Sequence, residues 1–135
     1  MQLFLLGAGR PAIGSKPTAL KHIALSTKAM DWQLHSFDEY VDKECVHFLG
    51  GYYVEAVKNS YPDLNISIVP NWECAGVLHT LLSAPFSNKE AFCAYSDTVF
   101  RKPVINNITN IEADVVVVID SRWKSRFDGR TEQDI

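Results

Sequence analysis

The residue types best suited to chemistry gather in three places along the chain. The first is Leu6-Gly7-Ala8-Gly9-Arg10-Pro11-Ala12, where glycines let backbone N–H groups approach an anion with no Cβ in the way. Oriented N–H groups contribute only about 0.3–2 kcal/mol toward an anion, so a polyphosphate also needs cations. Arg10 and Lys16 are the cations at hand. The second place is Tyr95-Ser96-Asp97-Thr98, in which Asp97 offers the hard oxygen that Mg²⁺ takes while keeping waters and phosphate oxygens in its other positions. The third is Asp120 with Arg122, Lys124, Arg126 and Arg130, a locally positive cluster suited to an oxyanion.

Each place has other readings. Gly7, Gly9 and Ala12 satisfy the G-x-G-x-x-A dinucleotide pattern, but that mechanism needs a helix at once and an acidic residue after the second strand. Pro11, Gly14 and Pro17 interrupt any helix, and Gly50-Gly51-Tyr52 stands where the acid belongs. Gly9 to Gly14 has P-loop spacing, yet Ser15 displaces the lysine to Lys16 and Pro17 blocks the helix opening. A ligand-free turn accounts for the glycines as well, Asp97 can cap its own turn, and a charge run is commonly a solvated face. Neither His22, His35, His47 and His79 nor Cys45, Cys74 and Cys93 show metal-ligand spacing. No nucleophile and base pair stands out.

Short apolar runs must position these residues. Residues 2–6, 45–49, 66–69, 91–95 and 115–119 have strand length, and the last, four valines and an isoleucine, reads as a strand buried on both faces. Met30, Leu34, Phe37 and Val41 recur at helical spacing behind a cap at Ser26 or Thr27; residues 54–58, 77–84 and 104–108 supply further helices. Strand and helix in alternation predict an α/β three-layer sandwich with a mostly parallel central sheet. Ligands in such folds gather beyond the carboxyl ends of the strands, where all three places fall.

The whole forms one domain, residues 1–135. With 47% apolar residues against 21% charged, it can bury a core. A net charge of −3 gives no global positive field toward nucleic acid or anionic lipid. No apolar run is long enough for a signal peptide or membrane span, and three scattered cysteines fit a reducing compartment, so the expectation is a cytoplasmic protein.

The glycine-rich loop followed by Lys16-Pro17-x-Ala19-Leu20 resembles the signature of the sugar-nucleotide type nucleotidyltransferases. Gly50-Gly51-Tyr52 is similar to that family's motif after the second strand. The stretch from Val69-Pro70-Asn71-Trp72 through Gly76 and Leu81-Leu82 is similar to its segment leading into a helix, and Tyr95-Ser96-Asp97-Thr98-Val99-Phe100 to its aspartate motif. Asp120-Ser121-Arg122-Trp123-Lys124 with Arg126-Phe127-Asp128-Gly129-Arg130 resembles the branch associated with phosphonate and phosphocholine metabolism.

The resemblance implies a Rossmann-like nucleotidyltransferase fold and transfer of a nucleoside monophosphate, CMP from CTP, to a phosphonate or phosphocholine-like acceptor with release of pyrophosphate. It places the nucleotide against Leu6, Gly7, Ala8, Gly9, Gly50, Gly51, Tyr95 and Ser96, catalysis on Arg10 and Lys16, Mg²⁺ on Asp97, and the acceptor on Asp120, Arg122, Lys124 and Arg130. Pro11 stands where the signature has its second glycine, and Thr18 replaces its second lysine. The family domain also runs on past the arginine-rich motif, so a truncated member is expected, open to homo-oligomerisation or association with a missing C-terminal part. The alternatives are a nucleotide-binding or regulatory module without turnover and, ranked after it, a dinucleotide-binding domain.

Overall fold

Four of the five apolar runs form strands in the computed structural model, which describes residues 1–12 and 14–126. These are β1 (Gln2–Gly7), β2 (Val46–Gly50), β3 (Asn65–Ile68) and β4 (Ala91–Tyr95). They form one parallel sheet in the order β3-β2-β1-β4. Parallel neighbours need crossovers, and α1 (Ala29–Phe37), α2 (Val54–Ser60), α3 (Val77–Leu82) and α4 (Lys102–Thr109) accompany them. A single helical turn, α5 (Trp123–Arg126), ends the described chain.

Side chains alternate across β1 and build a core on each face. Leu3 and Leu5 join Met30 and Phe37 of α1, Val57 of α2 and Ile105 of α4, while Phe4 and Leu6 join Leu49, Val69 and the partly buried Leu81 of α3. Each fully buried side chain of this size contributes about 1.5–3 kcal/mol. Helix α1 starts one or two residues later than its sequence suggests. Lys28 is the capping position, and its backbone N–H donates to Asp31 Oδ2 at 2.8 Å.

The expected fifth strand does not form. Residues 115–119 pair with nothing in the sheet and are between 37% and 79% exposed. Connection handedness supplies a physical reason. The path from β1 to β2 moves to one side with α1 on one face, so the mirror-image step outward from β4 must place its helix on the other face to keep the same hand. Helix α4 instead lies with α1, where Ile105 shares the α1 core. Lys102 Nζ reaches Asp38 Oδ1 at 2.9 Å and Glu39 Oε1 at 2.7 Å. That ion pairing holds the Asp38 carboxyl below its ordinary value and the Lys102 ammonium above its own. A parallel strand added beside β4 through this α4 would therefore be left-handed, which sheets almost never allow.

No helix among the described residues is long and apolar enough to cross a membrane.

Two outcomes follow from these packing facts. Five uncharged β-branched residues left in solvent would favour association, so the chain is expected to elute as oligomers, and Val117→Lys to shift it toward monomer by light scattering. A monomeric parent chain would contradict this. His47, stacked on Phe4 with ring centroids 5.4 Å apart, has its imidazole held below the ordinary value by burial. The unfolded chain therefore takes up this proton more readily. Stability should be level near neutrality, fall as pH drops through the ordinary histidine value of about 6.5, and level off below the depressed folded value. In urea titrations His47→Gln should flatten that part of the profile.

Candidate functional site

A cavity of about 260 Å³ opens at the carboxyl ends of β1 and β4. One wall is the loop leaving β1, and its small residues are required for different reasons. A Cβ on Gly7 would stand 2.3 Å from the Phe48 ring and 2.9 Å from Ser96 Oγ, so only glycine lets Phe48 fill the core beneath. A Cβ on Gly9 would meet nothing within 4 Å. Gly7 therefore serves packing, whereas the backbone at Gly9 is open to whatever enters.

Tyr52, just beyond β2, holds this loop from behind. Its backbone N–H donates to the Ala8 carbonyl at 2.9 Å and its hydroxyl to the Ser15 carbonyl at 3.3 Å. The Tyr52 ring meets Trp72 edge-on and carries the Arg10 guanidinium 5.1 Å from its centroid, a cation–π contact that leaves Arg10 on the cavity wall.

The second wall is the end of β4. Tyr95 and Asp97 line the cavity, while Ser96 between them is buried and its N–H donates to the Leu6 carbonyl at 2.9 Å, one step beyond the β1–β4 ladder. The Thr98 N–H closes the turn onto the Tyr95 carbonyl at 3.1 Å. The remaining wall comes from Thr18 and from Ala75, Gly76, Val77 and Thr80 at the start of α3.

Of the residues expected from sequence, Leu6, Gly7, Ala8, Gly9, Arg10, Tyr95 and Asp97 share this cavity. Lys16 is exposed and off its wall. Gly50 and Gly51 are buried behind the loop: a Cβ on Gly50 would lie 2.4 Å from Val54 Cγ2, and one on Gly51 2.3 Å from Trp72 Cγ and 2.7 Å from the Ala8 carbonyl oxygen. Close packing, rather than an approaching base, accounts for both glycines. Asp120 and Arg122 are exposed and do not line the cavity; Asp120 Oδ1 accepts the Arg122 N–H at 3.0 Å in the turn before α5. Lys124 falls within α5, and Arg130 lies outside the described residues.

Thr18, Thr80 and residues 75–77 are wall residues to which the sequence reading gave no site role, although Thr18 and Gly76 fall within the motif-like stretches. The sequence signal that reaches them is positional, because the loop after β3 belongs to the same carboxyl-end set as the other two. Among the described residues, no three His, Cys, Asp or Glu side chains converge as a metal cage. Asp97 alone still suits Mg²⁺, which binds through one or two carboxylates and completes its shell with phosphate oxygens and waters. The donor set fits an ion that arrives with a phosphate ligand.

The chain matches no protein-family profile, no curated protein and no solved structure.

The two loop glycines should separate in a mutational test. Gly7→Ala is expected to destabilise the fold by about 1–3 kcal/mol through overpacking against Phe48. Gly9→Ala should leave stability within about 0.5 kcal/mol. Denaturant unfolding of the two variants checks the contrast, and equal losses would refute it.

Proposed function

We propose that this chain is the nucleotide-binding part of a Mg²⁺-dependent nucleotidyltransferase that transfers CMP from CTP to a phosphonate or phosphocholine-like acceptor. The observation that carries this reading is the place of the cavity. The chain runs outward from β1 to β2 and β3, then returns to the other side of β1 as β4. Crevices at such reversal points, beyond the carboxyl ends of parallel strands, are where this fold class takes its ligands. Here the crevice carries an open glycine backbone and Arg10 on the β1 side and a carboxylate, Asp97, on the β4 side.

The chemistry asks little of the protein beyond alignment. An acceptor oxyanion attacks the α-phosphorus, a new O–P bond forms, and the bond to the departing pyrophosphate breaks in line with it. Bound Mg²⁺ would supply charge neutralisation on the phosphates. The backbone at Gly9 and the Arg10 guanidinium would face the phosphates, and Asp97 would hold the ion against them.

Lys16 off the wall, and Asp120 and Arg122 engaged in their own turn, favour a second reading. In it the chain binds nucleotide without turnover, because Asp120 and Arg122, expected from sequence to bind the acceptor, do not line the cavity.

Calorimetric titration with CTP, ATP and GTP, each with and without Mg²⁺, tests both. CTP should bind more tightly with Mg²⁺ present, and Asp97→Asn should remove most of that gain, a loss of tenfold or about 1.4 kcal/mol. Arg10→Ala should weaken binding under both conditions. Pyrophosphate release with aminoethylphosphonate or phosphocholine selects the enzyme over the module. Absence of heat with all three nucleotides refutes both.

A further inference from the structure

We propose that Gln33 is a positioning residue for Asp97, holding from the middle of α1 the turn that presents the carboxylate to the cavity. The inference rests on the nucleotide reading above, since it assigns that site a determinant of its Mg²⁺ response.

Gln33 is 0% exposed and lies on the apolar side of α1, between Met30 and Phe37. Burying a primary amide is unfavourable unless it is paired, and an apolar side chain would pack there at less cost. The Gln33 amide is paired with two backbone groups distant in sequence. Its Nε2 donates to the Tyr95 carbonyl and to the Thr98 carbonyl. Those carbonyls flank Ser96 and Asp97, so one side chain bridges both ends of the turn that bears the acid.

The neighbours of Gln33 on α1 hold the exit of the same segment. Trp32 Nε1 donates to the Phe100 carbonyl at 2.6 Å and Ser36 Oγ to the same oxygen at 2.9 Å. From the sheet side, the Ser96 N–H is fixed to Leu6. Fastened on both sides, the peptide planes around Asp97 have little freedom to rotate, and the direction of its side chain is inherited from α1.

The amide is not placed for its own satisfaction. Among the described residues, Gln33 Oε1 is the buried side-chain polar atom without a hydrogen-bond partner. A half-satisfied buried amide lowers stability relative to an apolar replacement. What it accomplishes in this structure is the bridge between two turn carbonyls.

The test uses the full chain with Gln33→Glu, equal in size but lacking the paired donors, and Gln33→Met, equal in length and apolar. Two readouts are taken: hydrogen exchange of the Thr98 amide by NMR, and CTP affinity with and without Mg²⁺. In both variants Thr98 should exchange at least roughly tenfold faster. The Mg²⁺-dependent gain in affinity should drop about tenfold while the Mg²⁺-free affinity changes less than about twofold. General loosening of the core would instead weaken both affinities and speed exchange throughout α1, which overturns the assignment. Parental Thr98 exchange with an intact Mg²⁺ gain also overturns it. Should Gln33→Met fail to fold, Gln33→Glu carries the comparison. If the unaltered chain binds no CTP, the nucleotide reading and the role toward Mg²⁺ fall together, and Thr98 exchange alone still reports whether the bridge exists.

Discussion

The parallel ladder of β1 against both β2 and β4 is the constraint on which the rest depends. Because β1 is central, its carboxyl end is the one point where chain from both halves of the sheet must meet. The ladder extends past the formal strand through the Ser96 N–H and the Leu6 carbonyl, which brings the aspartate turn beside the glycine-rich loop. Losing that register would do more than loosen a sheet. It would separate the cationic and anionic sides of the cavity.

A loop with two prolines (Pro11, Pro17) and three glycines (Gly7, Gly9, Gly14) has no periodic structure of its own, so its shape must be imposed from outside. Tyr52 does this, bonding to Ala8 and Ser15 while its ring supports Arg10. Gly51 lets Trp72 and the Ala8 carbonyl close over the backbone at that point. The second glycine motif thus acts on the first by packing against it. Tyr53, at a left-handed φ of 47°, then turns the chain into α2, so the cost of this tight junction is paid in local backbone geometry just where the loop is gripped.

Much of the scaffold was legible in the sequence because local signals agreed with the fold. Apolar runs of strand length became β1 to β4 within a residue or so, and the period of Met30, Leu34 and Phe37 marked α1, although Val41, which continues that period, lies beyond the helix end at Phe37. Residues 115–119 had the strongest strand signal of all and form no strand, because strand content says nothing about whether an edge of the right hand is reachable. Both sides of the cavity were likewise legible, as glycines and an acid after strands. Lys16 was not, since a residue beyond Pro11 and Gly14 has no spacing from which its direction could be read. Gln33 was hidden for the opposite reason: within a regular helical period a glutamine looks like surface, and only its contacts with Tyr95 and Thr98, more than sixty residues away, distinguish it.

Charge balance limits what the cavity can accept. Arg10 and Asp97 are the charged residues on its wall, so the wall is nearly neutral as a whole, with its two signs on opposite sides. A bare triphosphate would gain attraction from Arg10 and lose it to Asp97. One that carried a divalent cation on the Asp97 side would meet a complementary charge on each side, and the carboxylate would then be a ligand rather than an obstacle. At about 260 Å³ the cavity is also smaller than the roughly 300–1,000 Å³ usual for small-molecule sites, so part of any nucleotide must lie outside it. On the nucleotide reading, the phosphates would lie toward Arg10 and Asp97, and the base toward Val77 at the head of α3 and Tyr95 on β4, which are both about half exposed. Selectivity for one base over another would therefore draw on Val77 and Tyr95, whereas recognition of a metal-bearing polyphosphate would draw on fixed charges. On that reading the site would discriminate between phosphate states more strongly than between bases.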